Sequence, residues 1–115
     1  MSEARKIADK IVEFLDEFHL AGDTCIYFDG MCYQHATGRD YWETIDNIYP
    51  SDYFDYADGI VCMSFEGDFY SVMNNLSWVN MEQEKMFGLL LEDLGCYYEL
   101  GNSWNLAIHK IEEEA

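Results

Sequence analysis

The chain has 115 residues, 23 of them Asp or Glu against six Lys or Arg, for a formal net charge of −17. That charge excludes direct binding to DNA, RNA or anionic lipid, because phosphate contacts need Lys and Arg. Half of the residues are apolar and 17% are aromatic, which excludes a disordered acidic tail and predicts one domain, residues 1–115, around a single modest core.

Residues 3–20 read as an amphipathic helix. Ala4, Ile7, Ala8, Ile11, Phe14, Leu15 and Phe18 recur at helical spacing, Ser2 is the expected N-cap and Gly22 the expected stop. Residues 24–35 read as a β-hairpin: TCIYF and MCYQH flank Asp29-Gly30, a pair suited to the positive φ angles of a type I′ turn. A two-residue loop pairs Phe28 with Met31, Tyr27 with Cys32 and Ile26 with Tyr33. Ile26, Phe28, Met31 and Tyr33 then share the expected core face.

Residues 41–49 are β-prone, an expected edge strand bearing Glu43 and Asp46 and ended by Pro50. Ser51 is placed to cap one short helical turn, DYFDYA, before Asp58-Gly59. IVCMSF, residues 60–65, reads as a central buried strand. Residues 68–75 fit a strand or a short helix. A second helix is predicted over 81–94, capped by Asn80 with Gln83, striped by Met86, Phe87, Leu90, Leu91 and Leu94, and stopped by Gly95. Residues 96–111 form an expected second hairpin, with a three-residue loop at Gly101-Asn102-Ser103 pairing Leu100 with Trp104, Tyr98 with Leu106 and Cys96 with Ile108. Residues 112–115 should fray. The order helix–hairpin–strands–helix–hairpin predicts an α+β fold, a mostly antiparallel sheet with two main helices on one face.

Between Asp40 and Glu84 the chain carries ten acidic residues and no Lys or Arg. Asp40, Glu43 and Asp46 are spaced by three, as are Asp52, Asp55 and Asp58; Glu66 and Asp68 follow. Carboxylates so spaced lie about 5–6 Å apart on a helical turn, and alternate strand residues lie ~6.6–6.8 Å apart. Both distances resemble the repeat of phosphates along a nucleic-acid strand. Ordinary solvated faces mix signs, so a one-signed belt points to a basic partner. Interleaved Trp42, Tyr53 and Tyr56 supply the aromatic anchors typical of interfaces.

Other chemistries lack their residues. The sequence has no phosphate-binding glycine loop, H-E-x-x-H, G-x-S-x-G or Cys-His pairing, so no catalytic residue is assigned and no enzyme activity is expected. DYFDYADG lacks the ligand spacing of an EF-hand loop; no metal site and no cofactor are expected. Cys25, Cys32, Cys62 and Cys96 read as free thiols. No apolar run reaches the ~20 residues of a membrane span, and the N-terminus carries no signal-peptide pattern. The expected location is the cytoplasm.

In size, charge and basic-free belt the chain resembles the small acidic anti-defence proteins of phages and mobile elements, the anti-CRISPR proteins and restriction inhibitors, several of which mimic DNA. The likeness is one of profile across the whole chain and not of a motif. It implies a stoichiometric inhibitor that plugs the basic groove of a DNA-binding or RNA-guided nuclease, where arginines and a positive channel receive the nucleic acid. Asp40, Glu43, Asp46, Asp52, Asp55, Asp58, Glu66 and Asp68 would stand in for phosphates, with Trp42, Tyr53 and Tyr56 as anchors. The rival expectation is a non-enzymatic adaptor or complex subunit whose acidic face only keeps it soluble.

Overall fold

The structure is a computed structural model that describes residues 2–112. Of the expected frayed tail, all but Glu112 lies outside the described residues. The fold is α+β. Helix α1 (Glu3–Glu17) leads into strands β1 (Thr24–Phe28), β2 (Met31–His35) and β3 (Glu43–Asp46). A 3-10 turn (Pro50–Asp52) precedes strand β4 (Val61–Phe65), and helices α2 (Asp68–Met73) and α3 (Trp78–Asp93) follow. Strands β5 (Cys96–Asn102) and β6 (Asn105–Lys110) complete an antiparallel sheet in the order β3-β2-β1-β4-β6-β5.

α1 starts as its cap demands: the main-chain N–H of Arg5 donates to Ser2 Oγ at 3.0 Å. It stops at Glu17, earlier than residue 20. His19 takes the left-handed conformation (φ 57°), and the N–H groups of His19 and Leu20 donate to Asp16 O and Leu15 O. This is a Schellman stop, with histidine where glycine is commoner. The first hairpin has the predicted register, with Asp29 and Gly30 at φ 51° and 75°.

Helices cover one face of the sheet. Ile7, Ile11 and Leu15 of α1, Phe69 of α2, and Phe87 and Leu91 of α3 pack on Ile26, Phe28, Met63, Phe65, Leu106 and Ile108. The opposite face is covered too, which the sequence reading did not anticipate. Residues 47–59 leave β3 at one edge and cross β2 and β1 to reach β4. This strap buries Phe54 against Tyr27, Cys32, Cys62 and Ala107.

Other boundaries moved for local reasons. β3 ends at Asn47, which turns left-handed (φ 56°), and not at Pro50. Pro50 instead opens the 3-10 turn at a position where its missing N–H costs nothing, so the expected helical turn capped by Ser51 does not form. Residues 68–75 resolve to helix α2. α3 begins at Trp78, capped by Ser77 Oγ, which accepts from the N–H of Asn80 at 3.1 Å; Asn80 is not the cap. In the last hairpin Tyr98 pairs with Ile108 and Leu100 with Leu106, a shift of two residues from the expected pairing. A bulge at Gly101 restores the parity of the faces, and Asn105 Oδ1 accepts from the Asn102 N–H at 2.8 Å to close a tighter loop.

Both sheet edges carry features that disfavour strand pairing. β3 is four residues long and carries Glu43 and Asp46, and β5 carries Glu99 beside its bulge.

Candidate partner-binding surface

The strap is pinned at four points. The Ile48 N–H donates to Gly30 O at 3.0 Å, at the tip of the first hairpin. Phe54 plugs the sheet, its ring edge-on to Tyr27 and Trp104 with centroids 5.7 and 5.6 Å away. Asn105 Nδ2 donates to Asp55 O at 3.3 Å. The Ile60 N–H donates to Ile108 O at 2.8 Å just after the strap ends. Between these anchors the polar side chains turn to solvent. Asp52, Asp55 and Asp58 are exposed, as are Tyr53 (60%) and Tyr56 (67%).

Tyr56 sits at φ +61°. For a bulky side chain this region costs roughly 1–2 kcal/mol, and such strain persists only where its surroundings enforce it. The surroundings are Asp55, tied by its carbonyl to Asn105, and Gly101 of β5. A Cβ built on Gly101 would stand 3.1 Å from the Cβ of Tyr56 and 2.7 Å from Asn105 Nδ2, so only glycine fits under the strap there.

The expected residues fall into three groups. Asp52, Tyr53, Asp55, Tyr56 and Asp58 share the strap. The spacing of the three aspartates reflects no helix: only Asp52 lies in the 3-10 turn, and the other two are on irregular backbone. Glu66 joins them indirectly, because it and Tyr53 line one cavity of about 300 Å³ at the strap's margin. Asp68, two residues on, lies exposed in the first turn of α2. Glu43 and Asp46 are the two ends of β3, and exposed Asp40, three residues before it, lines a cavity with Asp16 and His19 at the end of α1. Trp42 belongs to neither surface. It packs on the helix side, its Nε1 donating to Asp16 Oδ1 at 2.9 Å and its ring edge-on to His35.

Charge is distributed unevenly over these groups. Arg39 pairs with Glu43 and lies over the Tyr41 ring, so the β3 edge is partly neutralised. Lys10, Lys85 and Lys110 pair with Glu13, Glu82 and Glu3. Four of the six cations thus lie beside carboxylates away from the strap. Among the described residues no cation pairs with Asp52, Asp55, Asp58, Glu66 or Asp68.

The cavity at the strap's margin holds one of the four free thiols. Cys25 is half-buried there, beside Tyr27 and Ser64. The Cys32 thiol, the diagonal neighbour on β2, lowers its pKa to about 7; Ser64 and Tyr27 help and burial opposes. The same contact pushes Cys32 up, with burial adding to it. Burial raises Cys62 and Cys96. Among the described residues no group of three or more His, Cys, Asp or Glu is placed to hold a metal ion. No helix there is long and apolar enough to cross a membrane.

Comparison with protein-family models, with curated proteins and with solved structures finds no match to this chain.

Proposed function

We propose that this protein is a non-enzymatic, stoichiometric inhibitor that lays its acidic strap in the basic nucleic-acid groove of an enzyme acting on DNA. An RNA-guided nuclease is the first candidate and a restriction enzyme the second. The observation that carries the reading is the strap itself. Three aspartates and two exposed tyrosines are fixed on one segment, pinned at both ends and plugged by Phe54, and among the described residues no cation forms an ion pair with those aspartates. A rigid array of carboxylates can displace the same counterions and fill the same arginine-lined sites as phosphates. Tyr53 and Tyr56 add rigid aromatic area, against which a partner arginine can stack. Strain at an exposed tyrosine is more readily maintained by what it presents than by folding.

The test is inhibition of DNA cleavage by a panel of RNA-guided nucleases and restriction enzymes, comparing the wild type with Asp52→Lys/Asp55→Lys/Asp58→Lys. The expected result is titratable inhibition of at least one enzyme. It should weaken steeply with salt, because exposed charges are screened over ~10 Å at 0.1 M, and vanish in the triple variant with its circular dichroism unchanged. Full inhibition by the folded triple variant would overturn the reading. A partner held equally well at low and high salt would favour the adaptor.

A further inference from the structure

Helix α3 leaves a large apolar surface uncovered, and its pattern is specific. Phe87 and Leu91 turn into the core, with Leu90 and Leu94 partly covered beside them. The other side exposes Trp78 (80%), Val79 (65%), Leu89 (60%) and Met86 (43%). Scattered exposed apolar residues are ordinary, but a helix face that sets exposed Trp78, Val79, Met86 and Leu89 around one pair of opposite charges marks an interaction surface. The spine of the stripe is Trp78, Glu82, Lys85 and Leu89, at i, i+4, i+7 and i+11, one line along an α-helix.

Along that line the order is apolar, acidic, basic, apolar. Read in the reverse direction it is apolar, basic, acidic, apolar, which is its own complement. With a second copy antiparallel, Trp78 lies opposite the second copy's Leu89, and Glu82 lies opposite the second copy's Lys85. Val79 and Met86 lie together on one flank of the spine, so each meets the other's counterpart. Lys85 is the sole cation of α3. Within its own chain it reaches Glu82 only at 3.9 Å, with both side chains about two-thirds exposed, so both are free to turn to a partner.

We propose that α3 is a self-complementary docking face that pairs two copies of this chain antiparallel about a twofold axis between Glu82 and Lys85. A twofold contact of this kind closes at two copies. The blunted edges β3 and β5 disfavour a competing route by strand pairing. A 16-residue helix is about 24 Å long, so the contact reaches only the low end of specific interfaces, about 1,000 Å², and the dimer is weak and concentration-dependent. α3 and the strap lie on opposite faces of the sheet, so the dimer turns both straps outward. Two bodies of formal charge −17 repel, and salt screens that repulsion. Dimerisation therefore strengthens with salt, opposite to the strap's engagement of a basic groove. The inference stands on the helix alone, and the opposite salt dependence keeps its failure separate from failure of the inhibitor reading.

Sedimentation of the full chain over a concentration series, at low and moderate salt, tests it. The expected result is a reversible monomer–dimer equilibrium whose Kd falls several-fold as salt rises, with a blue shift of tryptophan fluorescence on association. Glu82→Lys and Lys85→Glu should each weaken the dimer about tenfold or more, by placing like charges opposite one another. The double variant Glu82→Lys/Lys85→Glu restores both pairs and should regain most of the affinity. Leu89→Glu should be monomeric. All three positions are on the exposed side of α3, and circular dichroism checks the fold. A monomer at every concentration overturns the proposal, as does a dimer indifferent to Lys85→Glu or a double variant as weak as the singles.

Discussion

The side-chain amide of Asn105, fully buried, donates to the main-chain carbonyl of Asp55 at 3.3 Å and so ties β6 to a segment 50 residues earlier in the chain. The same side chain accepts from the Asn102 N–H at 2.8 Å. One amide thus holds the strap down and closes the last hairpin. Asn105→Leu removes both bonds and leaves the Asn102 N–H without its acceptor. The expected loss is about 2 kcal/mol of stability, measured as a lower urea midpoint at unchanged slope. The strap's aspartates remain in place, so a parallel loss of inhibition would show that their fixed geometry matters beyond their charge.

Tyr56 gives a prediction of opposite sign. Glycine accepts φ +61° without the steric cost that tyrosine bears there. Tyr56→Gly should leave stability unchanged or raise it by up to about 1 kcal/mol, the relief of strain being partly offset by a more flexible unfolded chain. Inhibition should fall about tenfold or more as an anchor is lost. Thermal unfolding and the cleavage assay on one preparation separate the two effects. A variant that is less stable and equally inhibitory would remove Tyr56 from the surface.

Cys25 should be the first thiol to react. The thiolate is the nucleophile, and with a pKa of about 7 its share grows as pH rises through 7. Alkylation of the folded protein should accelerate over that interval and level off above it. Peptide mapping should find Cys25 modified well before Cys62 and Cys96, which burial holds protonated. Cys32→Ala removes the largest contribution and should move the profile to higher pH. Equal labelling of all four thiols would contradict the geometry.

Alkaline stability follows from Tyr98. Its hydroxyl donates to Glu84 Oε2 at 2.9 Å; burial first, and that carboxylate second, raise its pKa. Tyr27 is raised as well, chiefly by burial. A folded-state pKa above the unfolded value of about 10 gives stability that is fully present below pH 10 and lost as pH rises beyond it. Unfolding should therefore begin above about pH 10, with ionisation of these tyrosines coinciding with loss of circular dichroism. Glu84→Gln removes the carboxylate's charge and brings the folded-state pKa of Tyr98 nearer to its unfolded value, so its ionisation should begin at lower pH and less stability should be lost above pH 10.

The first hairpin and β4 could be read from residues 24–35 and 60–65 because their signals are local: Asp29-Gly30 fixes one register, and a short apolar run fixes the other. α3 begins three residues before its predicted start because Ser77 caps the helix, although Trp78 and Val79 face outward and do not extend the core stripe. The last hairpin slipped by two because the bulge at Gly101 depends on Asn105 and Tyr56, a contact between distant segments. The strap was legible as acidic and aromatic, not as a second layer. The clue was in TCIYF and VCMSF, where apolar side chains point to both faces of the sheet and so need cover on both. Trp42 looked like its neighbours in composition, but only the sheet's two-sidedness places it away from the strap.

The strap is also the only covalent link between two halves of the molecule. One half holds α1 and β1 to β3; the other holds β4, α2, α3, β5 and β6. Within the sheet they meet along one seam, the ladder from Thr24–Phe65 to Tyr27–Cys62, and α1 adds contacts across it, Phe14 against Phe87 and Glu3 to Lys110. Phe54 rivets that seam from the far side, packing on Tyr27 of one half and on Trp104 of the other. A chain cut at the exposed Tyr56–Ala57 bond would keep every rung of the sheet, so the segment offered to a partner is also the joint at which the protein could be divided and reassembled.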